Sequence, residues 1–141
     1  MALPVVSLCV ASLAALLQLF LTAQVIKRRR AEQAGVGQEP SETLQRAIRA
    51  HGNFTEVTPI FLILLVLLEM VDSYLWWVGG LGAVFLIGRV LHARSILVDE
   101  VAAEPKFQNR VRGMVMTITT IGLAAVSGPV FVLWYILGGQ A

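Results

Sequence analysis

The stretch LQRAIRAHGNFTEVTPIFLILLVLLEM, Leu44–Met70, ends as a lipid-crossing run and begins with two arginines, a histidine, an asparagine and a glutamate. Its uncharged part, Pro59 to Leu68, is too short to cross a bilayer alone, since a spanning helix needs ~20 mainly apolar residues. A full crossing counted back from Met70 begins near His51. Asn53 and Glu56 then lie at hydrocarbon depth, with Arg46, Arg49 and His51 around the interface. A charge at such depth costs roughly 2.5 kcal/mol or more unless it faces protein or a wet cavity. Polar residues there are functional candidates by default.

Three further apolar runs flank this one. With it they give four expected spans, roughly 2–26, 46–70, 74–93 and 112–137, in a single domain over 1–141. The chain is 57% hydrophobic and 14% charged, far from the balance of a soluble domain. Because the runs are continuous and do not alternate, they predict helices. Four strands could not close a barrel, and open sheet edges are excluded from lipid. The expected class is an all-α integral membrane protein, a four-transmembrane-helix bundle. The first run has no basic start and is long enough to span, so it reads as a retained helix. The lone cysteine, Cys9, excludes an internal disulfide and reads as a small helix-packing residue.

Charge sets the expected orientation. KRRR, Lys27–Arg30, follows the first span, and Arg94, Lys106, Arg110 and Arg112 lie between the third and fourth. The turn near Asp72 and both termini carry no lysine or arginine. By the positive-inside rule the two long loops face the cytoplasm and both termini lie on the non-cytoplasmic side. Trp76, Trp77, Trp134 and Tyr135 would form an aromatic belt at the outer boundary. Glu69 reads as a boundary charge at that same level. The glycines of GGLG, Gly79–Gly82, read as places of close helix packing.

Arg46, Arg49, Asn53 and Glu56 are spaced three, four and three apart, which at about 100° per residue puts them on one helical face. His51 points elsewhere. Arg89 and His92 share a face of the third helix, and Arg110 and Arg112 open the fourth. Together they predict a cationic, hydrogen-bonding pocket at the cytoplasmic ends of three helices. The structural alternative is that Glu56 and Arg89 neutralise each other while Arg46 and Arg49 snorkel to the interface. No good metal-ligand cluster accompanies His51 and His92, and the basic loops lack aromatic interleaving. Neither a metal site nor nucleic-acid binding is expected.

RAIRAHGNFTE with Pro59, GRVLH on the next span and RVRGM at Arg110–Met114 resemble the membrane-associated proteins in eicosanoid and glutathione metabolism, the MAPEG family, in its bacterial branch. The resemblance covers essentially the whole chain. It implies a homotrimer with glutathione as co-substrate between neighbouring subunits. Arg49, Asn53 and Glu56 would hold the tripeptide, and His92 would take the place of a polar or aromatic contact. Arg110 would attend the sulfur, with Arg112, on roughly the opposite face, as its competitor. Arg46, His51 and Arg89 would support them. The chemistry is coherent: arginine binds carboxylates through paired charge-assisted bonds, Glu56 can accept an ammonium, and Asn53 suits a peptide amide. A nearby guanidinium favours the nucleophilic thiolate, and the membrane would deliver a lipophilic small molecule or lipid.

Ile26 with Lys27, Ile96, Val111 and Met114 stand where some active members carry arginine, tyrosine, serine and tyrosine. Three functions therefore compete. The first is a glutathione transferase or peroxidase acting on lipophilic electrophiles or hydroperoxides. The second is a non-catalytic binding or scaffolding protein of the same fold. The third is a small proton-coupled exporter, disfavoured because the first span has no acid. The compact loops and the Arg110 pattern point to a bacterial inner membrane.

Overall fold

The computed structural model describes residues 3–33, 35, 39–71, 74–99 and 107–138. Gly37, Asp72, Glu100, Glu104 and Lys106, invoked above for loop character or charge, lie outside the described residues. Four helices follow in chain order: α1 (Val5–Glu32), α2 (Glu42–Met70), α3 (Leu75–Arg94) and α4 (Gln108–Ile136). A π-helical turn, Ser95–Asp99, extends α3. All four are long and apolar enough to cross a membrane. Among the described residues no strand occurs, and the protein is an all-α, four-helix membrane bundle.

In cross-section α2 and α3 touch each other and both outer helices, while α1 and α4 make no approach to one another among the described residues. The helices α2 and α3 therefore form the short diagonal. In lipid no hydrophobic force draws helices together, so close fit of small residues does. A Cβ on Gly113 of α4 would lie 2.5 Å from the Gly88 carbonyl oxygen and 2.7 Å from the His92 nitrogen. The α3 and α4 backbones are thus in contact there. A Cβ on Gly82 would lie 2.5 Å from a methyl of the Val10 side chain of α1, whereas Gly80 faces open space. One apolar layer, towards the Glu69 end of α2, holds Val10, Phe61, Leu65, Leu68, Val78, Leu81, Phe85 and Ala124. A second, loop-side layer holds Ala14, Leu21, Ala50, Phe54, Ala93 and Ile96.

Backbone polarity is satisfied within the spans, as a bilayer requires. Hydroxyls bond back one turn: Thr55 to the His51 carbonyl and Thr58 to that of Phe54, both at 2.6 Å, and Thr117 to that of Gly113 at 2.8 Å. The start of α1 has no side-chain cap of its own. Glu69 supplies one, accepting the Val6 and Ser7 amides at 2.9 and 2.7 Å. Glu69 is 4% exposed, so its reading as a boundary charge is corrected: it is a buried cap donated by α2 to α1. The physical reason is that orphan amides at a helix start need an acceptor where water is excluded. Cys9 is likewise corrected, being exposed on α1 and not packed between helices. At the opposite end of α1, Glu32 accepts bonds from Ser41 and Thr43, and Ser41 caps α2 through the Leu44 amide. The aromatic residues at the N-terminus of α3 and the C-terminus of α4 share one end of the bundle. There Trp77 donates to Ser127 Oγ at 3.2 Å.

Candidate functional site

The antiparallel pairing of α2 with α3 has a readable register. Phe61 stacks on Phe85 with ring centroids 3.9 Å apart. Nearer the loops, the Asn53 amide nitrogen donates to His92 Nε2 at 3.3 Å. Three residues up α2 and three down α3 bring Glu56 and Arg89 to the same level. Moving the other way by one turn brings Arg49 level with Ile96, and these two line a common cleft of about 200 Å³ with Glu42, Gln45 and Arg46. The result is a ladder of rungs: Arg49 with Ile96, Asn53 with His92, and Glu56 with Arg89.

The two rails of this ladder differ in access. On α3 and the π-helical turn that extends it, Arg89, His92 and Ile96 are buried, at 3%, 2% and 3% exposure. On α2, Arg49 and Glu56 are exposed and Asn53 is half-buried. The cause is the helical repeat of α2. Leu44, Ala47, Ala50, Phe54, Thr58 and Phe61 form its inward stripe, so the positions 49, 53 and 56 sit off it. The outer rail continues as Ile60, Ile63 and Leu67, all exposed. One face of α2 is thus polar in its loop-side half, apolar beyond, and largely uncovered by the other described residues.

Among the described residues, Arg49 makes no hydrogen bond or ion pair, whereas Arg46 bridges to Glu42 at 2.6 Å. Arg89 lies over the Phe54 ring, its guanidinium carbon 5.8 Å from the centroid. Its Nε and Nη2 are buried without an acceptor. Glu56 attracts it electrostatically, without an ion-pair contact. The direct ion pair that the structural alternative supposes between these two charges is therefore not seen among the described residues. His51 turns to α1, where Gln18 Nε2 donates to its Nε2 at 2.8 Å. This places it on the far side of α2 from the ladder.

On α4 the buried stripe is Gly113, Thr117, Thr120 and Ala124. Arg110, half-buried, is one turn before Gly113 on that stripe, and Gly113 abuts His92. Arg112 is exposed on another face, as are Val111 and Met114. Geometry therefore brings together Asn53, Glu56, Arg89 and His92, leaves Arg49 open at the loop-side end, sets Arg110 on the bundle-facing side of α4, and separates His51 and Arg112 from them. Phe54 and Gln18 are additions that spacing did not single out. Gln18 could have been flagged as an amide deep in an apolar run, which must find a partner. Among the described residues no three His, Cys, Asp or Glu side chains come together as a metal site.

Comparison with known proteins bears on the whole chain. The model of the MAPEG family matches residues 7–132. The inner membrane protein YecN of Escherichia coli K12 is 37% identical over 87 residues, covering 62% of this chain and 66% of that protein. The protein of the same name from strain O6:H1 matches equally. This chain thus spans just under two thirds of the length of those relatives. A family match over nearly the full chain, on four membrane-crossing helices, makes this protein a member of the MAPEG family.

Proposed function

We propose that the protein is a glutathione-binding enzyme of the inner membrane, transferring the tripeptide to lipophilic electrophiles or reducing hydroperoxides with it. The observation that carries this reading is the outer rail of α2, where Arg49, Asn53 and Glu56 align on one face of a membrane-crossing helix, Arg49 and Glu56 exposed and Asn53 half-buried. Polar groups so placed are costly unless a ligand or a partner meets them. Glutathione answers them group by group: a carboxylate for Arg49, an amide for Asn53, the ammonium for Glu56. His92 supports the site from behind, holding the Asn53 amide. A second and third copy of the chain, packed on the exposed face of α2, would enclose the ligand and cover Ile60, Ile63 and Leu67. The name of the Escherichia coli relative agrees with placement in an inner membrane.

Arg110 is the group assigned to the sulfur. Its guanidinium would hold the thiolate, with the thiol proton passing to water. Attack on an electrophilic carbon forms the C–S bond and expels the leaving group. Attack on a hydroperoxide breaks the O–O bond, giving an alcohol and a sulfenic acid that a second glutathione reduces. With chlorodinitrobenzene and glutathione, the purified protein is expected to release chloride. Arg110→Ala should lower turnover by roughly 100-fold while glutathione binding persists, the usual scale for losing one stabilising donor. Turnover unchanged in the variant, or absent in the wild type, would contradict the enzymatic reading.

The non-catalytic alternative is favoured by one observation: the rung opposite Arg49 is Ile96, buried and without a donor. It expects tripeptide binding with no acceleration of thiol attack.

A further inference from the structure

Midway along the spans, a cleft of about 240 Å³ lies between α1 and α2. Ala11, Ala14 and Ala15 leave the room on α1, and Phe54 and Leu62 line it on α2. At roughly 30 Å³ per group, the share of one water molecule, it holds about eight carbons. Ala15, Thr55 and Pro59 are exposed at its edge, so between two membrane-crossing helices it opens to hydrocarbon. The helical repeat sets Phe54, Thr58 and Leu62 on the side of α2 away from Arg49, Asn53 and Glu56, which separates the cleft from the outer rail. Two hydrogen-bond acceptors in its walls lack a donor. Gln18 gives its amide nitrogen to His51 Nε2, and its Oε1 is buried without a partner among the described residues. Pro59, inside α2, has no N–H, which strips the Thr55 carbonyl of its helical donor. The neighbouring hydroxyls are committed elsewhere, that of Thr55 to the His51 carbonyl and that of Thr58 to the Phe54 carbonyl. Unpaired acceptors are costly where water is excluded.

From this we infer that the α1–α2 cleft is a binding site for a lipid-soluble alcohol, an otherwise apolar molecule that brings one hydroxyl to Gln18 Oε1 or the Thr55 carbonyl. The alkyl part answers the alanines, Phe54 and Leu62, and the O–H answers the unpaired acceptors. A plain acyl chain would fill the space and leave both acceptors without a donor. A charged amphiphile would have to carry its charge to mid-span, at high cost. Water alone would supply donors and leave the apolar walls wetted. The site goes beyond the glutathione reading and does not depend on it.

The test uses a diazirine photoprobe built on 1-octanol and its methyl ether, which has the same alkyl chain and no donor. The full-length protein is reconstituted in vesicles of dioleoylphosphatidylcholine, whose lipids carry no hydroxyl, and labelled residues are located by mass spectrometry. The alcohol is expected to label the segments Ala11–Gln18 and Thr55–Leu62 saturably and to be displaced by unlabelled 1-octanol. Its half-saturating concentration should be roughly fivefold below that of the ether, the scale of one net hydrogen bond. Gln18→Met removes one acceptor, and Pro59→Ala satisfies the other by returning an N–H to the Thr55 carbonyl. Each is expected to narrow the preference for the alcohol, and the double variant to abolish it, with labelling by the ether unchanged. Pro59→Ala should unfold no earlier than the wild type, because alanine favours helix. If the double variant does not fold, the single variants decide. Equal labelling by alcohol and ether in the wild type, labelling only outside the cleft, or a preference that survives the substitutions would overturn the inference and give the cleft to lipid chains, water or a second copy of the chain. No glutathione is present, so either result leaves the tripeptide reading untouched.

Discussion

At the scale of single residues, the polar side chains of this bundle include some that serve the backbone and some that we propose serve a ligand. Glu69 belongs to the first group. It is the acceptor for the Val6 and Ser7 amides, which would otherwise be orphaned in an apolar environment. Glu69→Ala is expected to destabilise the protein by about 1–3 kcal/mol, the cost of unsatisfied buried donors, with ligand binding unaffected. Thermal unfolding in detergent checks it. On the proposed reading Asn53 belongs to the second group. Asn53→Ala should weaken glutathione by about tenfold, because one hydrogen-bonding group facing the ligand is lost. His92→Phe should weaken it less, since His92 acts through the Asn53 amide. The face carrying Arg46, Arg49, Asn53 and Glu56 was legible in the sequence, because spacing alone determines what shares a helical face. Which of these residues open outward was not. Nor was the role of Glu69, which depends on where the start of α1 arrives in space. Periodicity says which side chains align and is silent on what lies opposite them.

At the scale of elements, four spans could be read from four continuous apolar runs, and each corresponds to a helix. The helices α1 and α2 continue past the expected crossings on the loop side, to Glu32 and from Glu42. There, charged side chains no longer oppose helix formation, because they sit in or above the interface. The π-helical turn Ser95–Asp99 has no periodic signature and was not foreseen. Close packing of α3 on α4 rests on Gly88 and Gly113, where added carbon would collide with backbone. Gly113→Ala is expected to cost about 1–3 kcal/mol by overpacking. Gly122→Ala, with nothing within 4 Å of the new carbon, should be neutral or stabilising through helix propensity. Unfolding midpoints of the pair decide whether the glycine contact or mere flexibility matters. GGLG was read as a packing motif as a whole, yet Gly82 meets Val10 tightly while Gly80 meets nothing. The motif marked the helix and not the residue.

At the scale of the whole molecule, one face of α2 is left uncovered among the described residues. Charged Arg49 and Glu56 on a lipid-exposed surface are unfavourable, so association with further copies is expected to hide them. Mass measurement in mild detergent should find a closed oligomer of three chains, and a monomer at all protein concentrations would contradict this. The sequence pointed to membrane class, family and polar face together, because each is written in residue type and spacing. It could not set the order of the two rails, with α3 buried behind α2, which only the packed bundle reveals. If the open rail of α2 is the tripeptide site, calorimetric titration of glutathione into the purified oligomer is the most direct test. Saturable binding at millimolar concentration or below is expected, lost in Arg49→Ala and Glu56→Gln and retained in Arg112→Ala. A folded oligomer that takes up no heat from glutathione at millimolar concentration, or binding indifferent to Arg49 and Glu56, would contradict it.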